Sequence, residues 1–359
     1  MRNVILIQTL LLWLVLHPAP APAVAEPPSP PPCAYGDKAC ADKALGMHAT
    51  KKIAFWQPEL AKPLAQRIGV GSPELVEFLA LDNIKNGFPN KPRLATLAPD
   101  FLRDVQDAFA ELPAEVTRLL SSRLAGIYFV EDIGGTGFTD QINDSEGQAV
   151  AALIILDPSV LEMRNANAWA TWKENTPFKT PSEFNLAAEI ETGAHNNRKN
   201  AIQYILLHEL GHVLSAGGTF HPSWNTLVKD IPSTKEYPFF ELSWSIDRSD
   251  NRYVTRFDSA FRERKDVVYY FGAKLAGDDM LKTYDALERT SFATLYSATN
   301  PFDDFAEAFA SYVHTVMMKK PFEIRITRDG KTAKVFKSCW MEPRCAEKRK
   351  ILENFLYRK

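Results

Sequence analysis

Residues 200–215 read NAIQYILLHELGHVLS, and this segment decides the fold. Its apolar side chains recur three and four positions apart, the spacing of a buried helical face; they are Ile202, Ile205, Leu206, Leu210, Val213 and Leu214. Within the predicted helix, residues 208–212 read HELGH, an HExxH sequence. Histidines four residues apart lie on one face of a helix, so both imidazoles can reach one ion. The segment therefore predicts a buried helix that carries a metal site.

The chemistry of this motif favours zinc. His208 and His212 supply nitrogen ligands, and Glu209 beside them can take a proton from a water molecule that the ion activates. One protein ligand remains to be found. An HExxHxxGxxH arrangement is excluded because Gly218 stands where its third histidine would be. His221 is a weak candidate, since its spacing fits no usual zinc pattern.

A better source of the third ligand lies 91 residues after His212, where residues 300–309 read NPFDDFAEAF. The segment predicts a helix that begins after a proline, with Asp303 and Glu307 four residues apart on one face. One of these acids could bind the ion, and the other could orient a histidine through its second ring nitrogen. Aspartates also stabilise a helix N-terminus, but that role does not explain Glu307. The residues leave open which acid is the ligand.

HELGH followed by DDFAEAF resembles the gluzincin metallopeptidases, in particular the branch that contains the anthrax lethal factor catalytic domain and the titration-factor peptidases. The resemblance covers roughly residues 125–320. It implies a zincin-like fold, peptide-bond hydrolysis, Asp303 as the third zinc ligand and Glu307 as its support. It also implies that Tyr296, seven residues before the ligand, stabilises the oxyanion. The family usually has glutamate where this chain has the shorter Asp303, so the longer Glu307 is the alternative ligand.

The rest of the chain indicates an α+β fold that is mostly helical, with a small mixed sheet beside the HExxH helix. Strands are predicted at 127–130, 149–156 and 183–191, and a hairpin over 322–337 that turns at Asp329-Gly330. Helices are predicted within 59–124, at 256–285, 287–298 and 303–318, and from Ala346. Strand 149–156 either presents an edge to an extended peptide or lies inside the sheet. The glycine-rich residues 134–137 are expected to form a surface loop, because no Lys-Ser/Thr follows them.

The chain divides into five predicted segments. They are a signal peptide at 1–25, a Pro-rich spacer and Cys-bearing segment at 26–58, a helical N-terminal region at 59–124, a zincin-like catalytic domain at 125–320, and a C-terminal hairpin and helix with a Cys pair at 321–359.

The N-terminus predicts secretion. Arg2 precedes an apolar run from Val4 to Leu16, and Ala23-Val24-Ala25 offers a cleavage site. The run has 13 residues, fewer than the roughly 20 that a spanning helix needs, so no stable membrane insertion is expected after cleavage. Four cysteines in a secreted chain predict disulfides. Local pairs, Cys33 with Cys40 and Cys339 with Cys345, are favoured over links between the two ends of the chain.

Composition sets the remaining limits. The chain has 359 residues, 45% of them hydrophobic, and a formal net charge of −2, which excludes a disordered chain and argues against a nucleic-acid partner. We therefore predict a secreted or periplasmic zinc peptidase whose partner is a protein or peptide substrate. Two alternatives remain: a hydrolase of non-peptide amides on the same site, and a zinc-binding regulatory protein without turnover.

Overall fold

The computed structural model describes residues 33–161 and 164–358. The predicted signal peptide and the proline run up to residue 32 lie outside the described residues. The fold is mixed α+β, which confirms the predicted class. Among the described residues, no helix combines the length and the apolar character needed to cross a membrane.

The helices are α1 (Lys38–Met47), α2 (Ile53–Leu60), α3 (Pro73–Asn86), α4 (Pro99–Ala110), α5 (Ala114–Leu120), α6 (Pro158–Leu161), α7 (Ala166–Asn175), α8 (Arg198–Ser215), α9 (Pro238–Glu241), α10 (Met280–Leu287), α11 (Pro301–Tyr312) and α12 (Ala346–Leu356). The strands are β1 (Ile68–Val70), β2 (Arg93–Leu94), β3 (Leu124–Glu131), β4 (Gly137–Asn143), β5 (Ala149–Leu156), β6 (Phe184–Glu189), β7 (Trp244–Asp247), β8 (Arg252–Thr255), β9 (Glu323–Arg328) and β10 (Lys331–Lys337).

The main sheet has the order β1-β3-β5-β4, with the two-residue β2 beside β3. Strands β1, β3 and β5 are parallel, and β4 runs antiparallel to β5 at the edge. Of the two placements that the sequence allowed for residues 149–156, the structure has the internal one, because β5 lies between β3 and β4. The edge of this sheet that approaches α8 therefore belongs to β4, whose Thr139 bonds Glu209.

The sheet separates two hydrophobic cores, which explains why β3 and β5 read as continuous apolar runs. Residues 127, 129, 152, 154 and 156 belong to the core around α4, α7, α8 and α11. The alternate residues 128, 130, 151, 153 and 155 belong to the core that α1, α2 and α3 cover from the opposite face. Helix α8, which carries the HExxH motif, is thus enclosed between the sheet and α11.

A second sheet has the order β10-β9-β6, and all its pairs are antiparallel. The predicted hairpin turn at Asp329-Gly330 is confirmed: both residues have positive φ, at 49° and 72°, as a two-residue hairpin turn requires. Because β9 pairs with β6, the C-terminal hairpin shares a sheet with residues 184–189. The predicted domain limits stay predictions.

Two expected helices are wrong. Of residues 256–285, only those from Met280 onward enter α10. Of residues 287–298, Leu287 ends α10, and the others form turns and bends that end in a single 3₁₀ turn, Tyr296–Ala298. The expected helix over 303–318 is present as α11, continued by a π-helical turn at Val313–Met317.

The cysteines form the local pairs that the sequence favoured. Cys33 bonds Cys40 at the start of α1, and Cys339 bonds Cys345 between β10 and α12.

Candidate metal centre

Helix α8 begins at an N-cap, where the side chain of Asn197 accepts a hydrogen bond from the Asn200 amide at 3.0 Å. Between Asn200 and Ala216 every residue is buried except His208 and His212. The sheet and the neighbouring helices therefore bury nearly the whole surface of this helix, not only the apolar face that the sequence predicted. The two histidines are the most exposed residues in this stretch of the helix.

Three predicted ligands come together beside this helix. Nε2 of His208 lies 3.2 Å from Nε2 of His212, and Oδ1 of Asp303 lies 3.4 Å from the nitrogen of His212 and 3.8 Å from that of His208. A tetrahedral zinc ion with bonds of about 2.0–2.1 Å holds its ligand atoms about 3.3 Å apart. The three side chains therefore fit a zinc ion by donor type and by spacing.

Asp303 reaches the histidines because α11 approaches α8 very closely. A Cβ atom on Gly211 would lie 2.7 Å from Cα of Ala306, so only glycine fits at this point. Gly211 lies between the two histidines in sequence, and Ala306 lies between Asp303 and Glu307. The close approach thus falls at the centre of the site and compensates for the shorter side chain of Asp303.

The second oxygen of Asp303 is already occupied. Oδ2 accepts hydrogen bonds from Nδ2 of Asn300 at 2.6 Å and from Oγ1 of Thr299 at 2.9 Å, which leaves Oδ1 toward the histidines. Burial favours the protonated acid, but the neighbouring His212 and the hydroxyl of Thr299 outweigh it and hold the pKa of Asp303 below its usual value. The carboxylate is thus the form that a cation would find.

Glu307 is fully buried behind His208, away from the three clustered atoms. Its Oε1 lies 2.9 Å from Nδ1 of His208 and accepts a hydrogen bond from Nζ of Lys173 at 2.8 Å, while Oε2 accepts one from Oγ1 of Thr294 at 2.7 Å. Burial alone would raise its pKa, but the charge of Lys173 and the contact with His208 hold the pKa well below the usual range. A carboxylate at Nδ1 fixes the ring so that Nε2 faces an ion.

Glu209 points toward the edge strand. Its Oε2 accepts a hydrogen bond from Oγ1 of Thr139 in β4 at 2.7 Å, and the same hydroxyl lies 3.1 Å from the Glu209 carbonyl oxygen. No local pattern in the sequence marks Thr139, because 70 residues separate it from Glu209. This contact holds the carboxylate beside the histidines and next to β4.

The ring of Tyr296 packs against His208 of the candidate metal site. The ring stacks on His208 with centroids 5.3 Å apart and an interplanar angle of 21°. Burial, reinforced by the charge of Asp303, raises the pKa of Tyr296 well above its ordinary value, so its hydroxyl stays protonated and able to donate. The predicted contact with an oxyanion stays a prediction.

The site opens into a cleft of about 1010 Å³. One wall is the glycine-rich loop 134–137, which the sequence predicted as a surface loop and which the structure places along the cleft. An aromatic wall of the cleft includes Trp172, Tyr270 and Phe271. Phe271 crosses toward Phe88, and the two rings stack with centroids 6.2 Å apart. The cleft is therefore narrowed by a pair of aromatic rings at one point.

His221 lies outside the ligand cluster, in agreement with its weak spacing. It is buried, its Nδ1 lies 2.8 Å from the carbonyl oxygen of Pro222, and burial lowers its pKa to about 4. His314 is a second buried histidine; its Nε2 lies 2.9 Å from the carbonyl oxygen of Ile190. Both are packing residues of the surrounding core.

Sequence reasoning assigned Asp304 only to the helix N-terminus, but it anchors α11. Its two oxygens accept hydrogen bonds from Nζ of Lys348 in α12 at 2.6 and 2.7 Å, and Oδ2 also accepts one from Nε1 of Trp244 at 3.0 Å. Asp304 and Lys348 are both buried. Consecutive aspartates thus face opposite partners, one the histidines and the other the C-terminal helix.

Comparison of the chain with protein-family models, with curated proteins and with solved structures found no match.

Proposed function

We propose that this protein is a zinc-dependent peptidase with a zincin-like arrangement, in which His208, His212 and Asp303 bind the ion. The observation that carries the proposal is the convergence of two imidazole nitrogens and one carboxylate oxygen within 3.8 Å of one another, beside a large cleft that His208 and Glu209 line. Glu307 supports His208 from behind, and Glu209 supplies a second carboxylate at the cleft surface.

Zinc at these ligands would polarise the scissile carbonyl and make a water molecule more acidic. Glu209 takes the proton of that water and passes it to the leaving amine. The hydroxyl of Thr139 keeps the Glu209 carboxylate in one orientation through both transfers. Glu307 keeps His208 in the tautomer that carries its proton on Nδ1. The hydroxyl of Tyr296 stabilises the oxyanion by donating a hydrogen bond to it.

The edge strand favours an extended peptide as substrate. Strand β4 pairs with β5 on one side, and its other side is bridged to Lys52 at its last residue, Asn143. Thr139, nearer the start of β4, contacts Glu209. A peptide added along β4 would satisfy backbone groups of the edge and would pass directly by the general base. The aromatic wall of the cleft then offers contacts for its side chains. A small amide would use the same catalytic groups but would gain nothing from the strand.

The two cysteine pairs support the compartment that we propose. Two disulfides are stable in an oxidising environment, so we place the working protein outside the cytoplasm, secreted or in a periplasm.

The test compares the zinc-loaded wild-type protein with Glu209→Gln on a broad peptide library. We expect the wild type to cleave peptides, and the variant to bind one zinc ion while cleavage falls by at least about a hundredfold, because only the proton acceptor is lost. Glu146→Gln, in an exposed turn, is the matched control and should cleave normally.

Two results would contradict the proposal. Full cleavage by Glu209→Gln would remove the general base. Stoichiometric zinc in a wild-type protein that cleaves no peptide would point to the regulatory alternative, or to the amide hydrolase if small amides are hydrolysed.

A further inference from the structure

Lys173 is a buried lysine beside the metal centre that no sequence motif marks. It lies on α7, and only 4% of its surface is exposed. Its Nζ donates a hydrogen bond to Oε1 of Glu307 at 2.8 Å and lies 4.8 Å from the ring centroid of Tyr296. Both of these neighbours contact His208. Lys173 therefore touches the two groups that hold one histidine in place.

Burying a carboxylate such as Glu307 is costly unless a cation compensates it. The cost of burying an unpaired ion is several kcal/mol even after the protein relaxes. The other carboxylate near the lysine, Glu174, lies 3.7 Å from Nζ and accepts hydrogen bonds from the hydroxyls of Tyr269 and Tyr284, each at 2.9 Å. The two tyrosine hydroxyls therefore stabilise Glu174. Lys173 lies closer to Glu307 than to Glu174, so its charge mainly compensates the Glu307 carboxylate.

We propose that Lys173 is a positioning residue of the metal centre. Its ammonium group holds the Glu307 carboxylate against Nδ1 of His208 and packs on the ring of Tyr296, so that Nε2 of His208 faces the ion. This inference rests on the proposed function, because it assumes that His208 binds zinc. Lys173 acts through Glu307 and Tyr296 and is not itself a ligand.

The experiment measures zinc dissociation constants by competition with a chromophoric chelator, for wild type, Lys173→Met, Glu307→Gln and the double variant. Lys173→Met leaves a buried carboxylate without its cation, so zinc binding should weaken by about 10- to 100-fold, the usual effect of losing a partner behind a ligand. The double variant removes the uncompensated charge and keeps an oxygen for Nδ1. It should therefore bind zinc more tightly than Lys173→Met does.

Cobalt substitution provides a readout that general destabilisation does not move. If Lys173 positions His208, the visible spectrum of the Co²⁺-loaded Lys173→Met protein should differ from that of wild type, and the double variant should return toward wild type. Lys85→Met is the matched control, because Lys85 pairs with Asp42 at the surface, far from α8 in the fold. It should leave both zinc binding and the cobalt spectrum unchanged.

Unchanged zinc affinity and an unchanged cobalt spectrum in Lys173→Met would overturn the inference, even if its stability falls. The inference would also be overturned if the fold-changes of the two single variants in zinc dissociation constant simply multiply in the double variant. Such a result would mean that Lys173 and Glu307 act independently. The readouts separate this inference from the proposed function, since zinc binding is measured without turnover. A wild type that binds zinc but cleaves nothing defeats the peptidase proposal alone, and a wild type that binds no zinc defeats both.

Discussion

The contact between Gly211 and Ala306 makes a sharp prediction for Gly211→Ala. The added Cβ would lie 2.7 Å from Cα of Ala306, 3.1 Å from its carbonyl oxygen and 3.3 Å from its carbonyl carbon. All three neighbours are backbone atoms, so no side-chain rotation relieves the overlap. The only response is for α11 to move away from α8, and Asp303 is carried on α11.

The size of the movement follows from the contact distance. Carbon atoms in good contact lie at least about 3.5 Å apart, so the helices must separate locally by roughly 0.8 Å. Metal ligands tolerate deviations of about 0.2 Å. The displacement therefore exceeds the tolerance about fourfold, and we expect Gly211→Ala to weaken zinc binding at least tenfold. The free energy of unfolding should change little. Overpacking destabilises by about 1–3 kcal/mol, and the higher helix propensity of alanine offsets about 1 kcal/mol of this loss.

The assay is chelator competition for zinc, together with urea unfolding of the metal-free protein. Gly46→Ala is the matched control: Gly46 lies near the end of α1, and a Cβ there meets nothing within 4 Å. That variant should bind zinc like wild type. If Gly211→Ala also binds zinc like wild type while remaining folded, the helix spacing does not set the position of Asp303, and the reasoning fails.

Two further predictions concern stability. Lys348→Met leaves Asp304 buried without its cation, so the free energy of unfolding measured in urea should fall by about 3–5 kcal/mol. The double variant Asp304→Asn/Lys348→Met should lose less, because no unpaired charge remains. Equal losses in the two proteins would contradict the ion-pair argument. Burial lowers the pKa of His314 to about 4, below the value of about 6.5 in the unfolded chain. The unfolded state therefore binds the extra proton between these values, and stability should fall as pH drops from about 6.5 to 4. His314→Asn should make this part of the pH profile less steep but not flat, because His221, whose pKa burial also lowers to about 4, still contributes. An unchanged slope would show that other groups cause it.

The sequence predicted those parts of the site that depend on local spacing. His208 and His212 share a face because they are four residues apart in a helix, and Asp303 and Glu307 share a face for the same reason. The choice between the two acids depends on how closely α8 and α11 approach, which Gly211 and Ala306 determine together. That distance is a property of two segments about 90 residues apart, so no local pattern contains it.

The supporting residues could not be predicted for a related reason. Lys173 and Thr139 contact the site across the fold, through α7 and β4, and neither lies in a recognisable motif. The expected helix over 256–285 is absent before residue 280, because local hydrogen bonds and packing against the site outweigh the helical spacing there. Around residue 258, side chains bond the local backbone, as when Asp258 accepts a hydrogen bond from the Thr255 amide. Farther on, Tyr269 and Tyr270 turn toward the site, and Tyr270 takes a positive φ of 66°.

The second core has a consequence for maturation by proteolysis. Residues 33–86 supply α1, α2 and α3, which cover the apolar face of β3 and β5 opposite the metal centre. Many members of the class proposed for this protein, the secreted peptidases, are released from an inactive precursor when a leading segment is cut away. Here a cut after α3 would strip the cover from one whole face of the central sheet and leave its aliphatic side chains in water. We therefore expect any activating cleavage to fall before Cys33, with the rest of the N-terminal region retained in the active molecule.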